Sequence, residues 1–176
     1  AADTWNRRFG ADGFLFGTEP NAWLVEHAGV WQPGQRVLCV ADGEGRNSVW
    51  LARQGFAVAA FDIAEAGVAK ARRLAAEHGV ALDFRVADCD DYAWPQGSCD
   101  GVAAIFIQFA DPPFRRKIFD GIKGALRPGG LLLMQGYRPE QLNYRTGGPS
   151  QVENLSTRAL LEEAFGDFAA VDIKEH

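Results

Sequence analysis

Apolar residues come in two rhythms along this chain, and the alternation between them predicts its elements. Short unbroken runs, such as Val37, Leu38, Cys39 and Val40, have the length and continuity of strands buried on both faces. Longer stretches repeat an apolar residue every three or four positions, the period of a helix with one face in a core. Strands are predicted over residues 36–40, 57–61, 81–87, 99–105, 131–135 and 168–173, and helices over 21–31, 46–54, 64–78, 111–126 and 157–165. Local chemistry marks the boundaries. Asn21 and Asp111 are capping residues, and Pro112 suits a first helical turn. Pro33-Gly34, Gly79 and Arg127-Pro128-Gly129-Gly130 stop the helices before them. Residues 1–20 hold Trp5, Phe9, Phe14 and Phe16 among Gly10, Gly13 and Gly17, which reads as a short helix and an ordered cap. A long loop is expected over 136–154.

Strand and helix alternate from the first strand to the end of the chain. That layout makes a doubly wound, Rossmann-like α/β fold: a mostly parallel sheet, helices on both faces and right-handed crossovers. Ligands of such sheets lie beyond the carboxyl ends of the strands. The turn after the first strand, Asp62, Asp88 and residues 106–109 then line one rim.

The stretch from Val37 to Asp62 is the most specific part of the sequence. It runs strand, Gly43-Glu44-Gly45 turn, helix from Arg46, second strand, carboxylate, the order of a nucleotide-cofactor half-site. Glycines let a backbone approach a ligand where a Cβ would collide. A helix N-terminus adds free N–H groups. Asp62, about 20 residues past the turn, can accept hydrogen bonds from both ribose hydroxyls.

Composition narrows the classes. With 47% hydrophobic and 23% charged residues over 176 positions, the chain can close one globular core and is short for two. One domain over 1–176 is expected, with a cap region over 1–31 and a cofactor-binding core over 35–136. The net charge of −5 argues against a nucleic-acid footprint, which needs clustered Lys and Arg. Cys39, Cys89 and Cys99 show no paired spacing, which favours a reducing cytoplasm. No run nears the ~18–20 apolar residues of a membrane span, and no secretory leader is visible. His27, His78 and His176 are scattered, so no metal is expected.

With these residues in view, the chain resembles the class I S-adenosylmethionine-dependent methyltransferases. More narrowly, it is similar to the small bacterial tellurite-resistance/thiopurine-type group. The likeness runs through F-G-T-E-P-N (16–21), V-L-C-V-A-D-G-E-G-R-N-S (37–48), A-F-D-I (60–63), V-A-D (86–88) and L-R-P-G-G-L-L-L (126–133). It implies that Ala41, Asp42 and Gly43 cradle the methionyl part of the cofactor and that Asp62 binds the ribose. It further implies Ile63 beside the adenine, Asp88 and the Cys89 backbone at the adenine amino group, and Phe106 and Gln108 bordering the methyl group. Phe16, Tyr137, Arg138 and Arg145 are the remaining candidates for the substrate side. No residue is assigned as a catalytic base.

Two features depart from the family pattern. Cys39 and Ala41 stand where an acid and a glycine are usual, so Asp42, one step into the turn, is the acid available there. The family fold closes with a hairpin of a sixth and an antiparallel seventh strand. Residue 176 falls where the sixth should end, so an incomplete hairpin is expected.

The resemblance implies methyl transfer to a small molecule, with S-adenosylhomocysteine as product. Such transfer is in-line displacement, in which the cofactor supplies the electrophile and the protein supplies position. A thiol or a reduced chalcogen needs little base catalysis, in keeping with the lack of an acid–base constellation. Two alternatives stay open. An NAD-dependent oxidoreductase would use the same turn and Asp62, but Ser48 replaces the third glycine and no Tyr-x-x-x-Lys occurs. A non-catalytic module would bind S-adenosylmethionine without turnover. A homodimer is left open.

Overall fold

A computed structural model describes residues 1–145 and 147–176; residue 146, within the predicted 136–154 loop, lies outside the described residues. The elements are α1 (Ala2–Phe9), α2 (Ala22–His27), β1 (Arg36–Val40), α3 (Arg46–Arg53), β2 (Ala57–Asp62), α4 (Glu65–Glu77) and β3 (Asp83–Val86). They continue with β4 (Cys99–Ile105), α5 (Pro112–Ala125), β5 (Leu126–Gln135), α6 (Gln141–Tyr144) and α7 (Arg158–Ala164). The five strands form one sheet in the order β3-β2-β1-β4-β5, every pairing parallel. The order reverses between β1 and β4, which makes the carboxyl ends of those two strands the crevice of the fold.

Both faces of the sheet are covered, and the period of two along each strand divides the core. Leu38 and Val40 of β1, Phe61 of β2 and Val102 and Ala104 of β4 pack with Ile118, Phe119 and Ile122 of α5 and with Phe165 after α7. Val37 and Cys39, Val58 and Ala60, and Ala103 point the other way. They meet Leu24 of α2, Trp31, Leu51 of α3, and Val68 and Ala71 of α4. Burial on both sides explains why β1 and β4 read as continuous apolar runs. Each fully buried Leu, Ile, Val or Phe side chain contributes roughly 1.5–3 kcal/mol, so the two half-cores dominate the stability.

Caps form at Asn21 and Asp111, where the sequence marks them, and at Thr157, which the sequence reading puts inside the helix. The Asn21 side chain accepts from the Leu24 N–H, Asp111 from that of Phe114 and Thr157 from that of Leu160. Several boundaries moved. The 21–31 helix divides into α2 and a 3₁₀ turn, Ala28–Val30, and the third strand shortens to Asp83–Val86. β5 starts at Leu126, so Arg127-Pro128-Gly129-Gly130 is an irregularity inside the strand, between the Cys99–Leu126 and Gly101–Leu131 pairings. The 136–154 loop contains α6 and a 3₁₀ turn, Val152–Asn154.

One predicted strand is absent. Residues 168–173 are not in a sheet, which among the described residues has five strands. The segment's groups are engaged elsewhere. Arg158 donates to the Ile173 carbonyl, and Glu175 lies 3.7 Å from both Arg138 and Arg158. Strand geometry needs a ladder of backbone partners, and apolar content cannot create one.

Candidate functional site

β1 ends at Val40, and the chain leaves the sheet through a residue that should resist the bend. Ala41 has φ 49°, a left-handed conformation that costs an L-residue with a Cβ roughly 1–2 kcal/mol. The backbone thus keeps the form that glycine would adopt freely at this position. Ala41→Gly relieves that strain but adds about 0.5–1 kcal/mol of glycine entropy in the unfolded chain. A net gain of about 0.5–1 kcal/mol is expected, measured by urea denaturation.

Gly43 (φ 57°) and Gly45 (φ 85°) complete the turn into α3. The space a Cβ on Gly43 would take is occupied by protein: the Phe9 ring of α1 would lie 3.1 Å away. A side chain at this position would press on the Phe9 ring of the cap region, which would have to give by a few tenths of an ångström. Its N–H donates to Asp62 Oδ2 at 2.8 Å, and the Ala64 N–H donates to Asp62 Oδ1 at 2.9 Å. Asp62, buried at the end of β2, is thus the clamp between the glycine turn and the start of α4. Burial raises its pKa above the ordinary aspartate value, against the lowering by those amides.

Asp42 accepts from the Ser48 N–H at 3.1 Å, in the first turn of α3. Burial pushes its pKa up to about 6, Ser48 opposes the shift, and the nearby Asp62 charge adds to it. The sign of the pH effect follows. Between 3.8, the unfolded value, and about 6, the folded state holds more protons than the unfolded state. The stability Asp42 contributes is complete below 3.8 and is lost as pH rises through 6. Asp42→Asn keeps an oxygen for the Ser48 amide and removes the titration. It should gain about 2 kcal/mol at pH 7.5 and little at pH 4, read from thermal denaturation at the two values.

The neighbouring loops supply the rest of the rim. Ile63 follows Asp62 and is half-buried. Asp88, after β3, accepts from the Asp90 N–H at 3.2 Å in a turn of its own. The buried Cys89 offers its carbonyl to Trp94 Nε1 at 3.1 Å, and burial pushes its thiol up to about 12. Beneath them Phe61 stacks on Tyr92 with centroids 3.8 Å apart. Asp88, Asp90, Asp111, Pro113, Phe114 and Lys117 line an open cleft of about 310 Å³ between this loop and α5.

Phe106 ends β4 with φ 57°, a second strained residue on the rim, and stacks on Tyr137 after β5 at 4.6 Å. Gln108 is buried behind them. Its Oε1 accepts from the Tyr137 N–H at 2.6 Å, and its Nε2 donates to the Tyr137 carbonyl at 2.8 Å and to Ser156 Oγ at 3.1 Å. Both ends of this amide position the loop that carries Tyr137. Arg138 is exposed, 3.2 Å from Glu140 and 3.7 Å from Glu175. Arg145 is exposed just past α6 with φ 52°. Phe16 is 54% exposed, edge-on to Phe9 at 6.5 Å, with the Arg46 guanidinium 6.0 Å above its ring.

The structure therefore brings Ala41, Asp42, Gly43 and Asp62 into one cluster, with Phe16 at its cap side. Asp88 and Cys89 lie one strand over, and Phe106, Gln108 and Tyr137 form a second group across the crevice. Sequence reasoning passed over Lys70, named Glu44 only as part of the turn and named Asn21 only as a cap and a motif residue. Lys70 carried a signal: with Gly67, Ala71 and Leu74 it falls on the buried stripe of α4, where a cation requires a partner. Asn21 accepts from its own helix, its N–H donates to Asn47 Oδ1 at 2.9 Å, and its Nδ2 donates to Gln135 Oε1 at 2.9 Å. Among the described residues no group of three or more His, Cys, Asp or Glu could hold a metal, and no helix is long and apolar enough to cross a membrane.

A family model described as a methyltransferase domain matches residues 37–130, β1 to the start of β5. The chain belongs to that methyltransferase-domain family. A ubiquinone biosynthesis O-methyltransferase of Xanthomonas campestris pv. campestris is 37% identical over 109 residues, 61% of this chain and 45% of that protein. The chain thus spans about half the length of the curated relatives it matches. Among solved structures, a protein of Pyrococcus horikoshii OT3 superposes with a TM-score of 0.71 at 23% identity, over 82% of this chain and 78% of that one. Phosphoethanolamine N-methyltransferase 2 of Haemonchus contortus, in complex with S-adenosyl-L-methionine, gives 0.68 at 22% identity over 93% and 40%. At these identities the structural likeness shows the fold.

Proposed function

We propose that this domain binds S-adenosylmethionine and directs its methyl group to a small-molecule acceptor. The carrying observation is the acceptor count at Asp62. A carboxylate has about two acceptor sites on each oxygen. The Gly43 and Ala64 amides hold one oxygen each and the Ile63 amide also faces the carboxylate, which leaves acceptor capacity for a ribose hydroxyl. Asp42 is the acid within the same turn for the cofactor's ammonium. Ile63, Asp88 and the Cys89 backbone flank the adenine, and Phe106 with Tyr137 forms the aromatic wall at the acceptor side. When bound, the cofactor supplies an electrophilic methyl on a sulfonium. The protein's part is position and the exclusion of water.

For the acceptor we favour a thiol or reduced chalcogen. Asp42, Asp62 and Asp88 are each engaged with backbone amides, which suits a nucleophile that needs no strong base. Phe16, Gln108, Tyr137, Arg138 and Arg145 are the proposed acceptor-side set, with Gln108 acting through Tyr137. The F-G-T-E-P-N segment supports a place in the tellurite-resistance/thiopurine-type group. A single unit over 1–176, with its cap over 1–31 and core over 35–136, agrees with the packing of α1 against the glycine turn. Three free, buried cysteines suit a cytoplasmic setting. A hydroxyl acceptor is the second reading, favoured by the name of the Xanthomonas relative.

Calorimetric titration with S-adenosylmethionine, S-adenosylhomocysteine and NAD tests the cofactor, and transfer of labelled methyl to thiol, selenide and phenol acceptors tests the chemistry. Saturable binding of the first two ligands with methyl transfer to sulfur or selenium supports the proposal. NAD binding alone would replace it with the oxidoreductase, and binding without transfer with the non-catalytic module.

A further inference from the structure

Two buried charges tie the cap region to the glycine turn. Lys70 of α4 directs its Nζ into the underside of the segment 10–17. It donates to the Ala11 carbonyl at 2.7 Å, to the Gly13 carbonyl and to Glu44 Oε1 at 2.9 Å, which uses all three of its protons. Glu44, the middle residue of the glycine turn, accepts from the Leu15 N–H at 2.7 Å on its other oxygen. Both side chains are buried. Asn6 Oδ1 adds a tie at the start of α4, accepting from the Ala66 N–H at 3.0 Å. A buried pair rarely adds stability beyond an apolar pair of the same shape, but removing one partner is costly. What this pair does is select a conformation: two carbonyls and one amide of an otherwise irregular segment are held by groups anchored in α4 and in the turn.

The segment so held delivers Phe16 to the rim. The Phe16 ring meets Phe9 edge-on and Arg46 at the N-terminal end of α3, and with 54% of the residue exposed it keeps surface open to a ligand. We propose, building on the cofactor reading above, that Lys70 and Glu44 are positioning residues. They hold segment 10–17 as a wall of the cofactor site, with Phe16 as its ligand-facing ring, so that ligand binding and order in this segment are coupled. Because Glu44 sits between Gly43 and Gly45, a ligand that settles the turn settles the acceptor of the Leu15 amide as well. Such coupling is reciprocal: what weakens the segment weakens the ligand, and the ligand protects the segment.

Amide exchange at Leu15 and S-adenosylhomocysteine affinity, measured together at a temperature where each variant is folded, test this. In the wild type the ligand should slow Leu15 exchange at least fivefold, a response that a merely structural tie would not give. Lys70→Met should speed exchange in the free protein at least tenfold and weaken affinity at least tenfold. Phe16→Ala should lose similar affinity while speeding exchange in the free protein much less than Lys70→Met does. Glu44→Gln should lie between wild type and Lys70→Met on both measures, and with Phe16→Ala it carries the test should Lys70→Met not fold. Unchanged Leu15 exchange in the Lys70 and Glu44 variants would overturn the proposal, as would full affinity in a variant whose segment has loosened. Failure of the wild type to bind millimolar S-adenosylhomocysteine overturns the cofactor reading and the coupling together. Binding that leaves Leu15 exchange unaltered overturns the coupling alone.

Discussion

Asp62→Ala should abolish measurable S-adenosylhomocysteine binding, a loss of at least about a hundredfold, and should lower stability by about 2–4 kcal/mol. The two effects share a cause. The Asp62 carboxylate accepts from Gly43 and from Ala64 at 2.8 and 2.9 Å, so its removal leaves two amides of the turn without their acceptor. A hydrogen bond to a charged group contributes about 1.5–3 kcal/mol net, and entering water recovers part of it. The ribose contact would be lost on top of the collapsed turn. Asp62→Asn separates the two. It keeps one acceptor oxygen but turns an NH₂ toward the other amide, so stability should fall by about 1–2 kcal/mol while affinity still falls severely. Calorimetry and urea denaturation on the same samples give both numbers. Loss of affinity in Asp62→Ala at unchanged stability would mean that the carboxylate is only a ligand group and that the clamp has no energetic part.

Gly45→Ala should be the most damaging single methyl in the glycine turn. Gly45 has φ 85°, and a Cβ there would stand 2.5 Å from Ala71 Cβ and 3.0 Å from Ala71 Cα on α4. Left-handed strain costs about 1–2 kcal/mol and overpacking about 1–3, and removing glycine's unfolded-chain entropy offsets about 0.5–1, so a loss of about 1–4 kcal/mol is expected. Gly79→Ala isolates the first contribution. Gly79 has φ 65° with nothing within 4 Å of its Cβ position, so strain applies without overpacking, offset in part by the lower entropy of the unfolded alanine chain, and a loss of about 0.5–1 kcal/mol is expected. Denaturant midpoints of the two variants decide the matter. Equal losses would show that α3 and α4 can separate at no cost, against the close packing described here.

The candidate site was legible to different depths. Asp62 stood out because its offset from a glycine turn is a local property of the chain, and the structure places it against Gly43. Its double duty was not legible, since nothing in the order of residues says that both oxygens already hold amides. Gly43 was marked for close approach of a ligand, whereas the atoms nearest its missing Cβ belong to Phe9, 34 residues earlier in the chain. Gln108 was placed beside the transferred methyl group only by the family resemblance. Only the fold shows that its amide is engaged with Tyr137, 29 residues on. Glu44 lies in the glycine-turn motif but Lys70, 26 residues away, belongs to none, so their meeting depends on how α4 lies across the turn.

Strands β1 and β4 and the caps of α2, α5 and α7 were determined locally, because continuous burial and capping chemistry are written in neighbouring residues. The same holds for the succession of strand and helix that makes the sheet parallel. Strand order, the place of the crevice between β1 and β4, and the fate of residues 168–173 were decided only by tertiary structure. A strand exists through its partners. Residues 168–173 have the apolar content of a strand but no place in the sheet, while Arg158 takes the Ile173 carbonyl. The conformation of residues 10–17 is tertiary as well, set by a lysine some 60 residues away that supplies the hydrogen bonds the segment's own sequence does not.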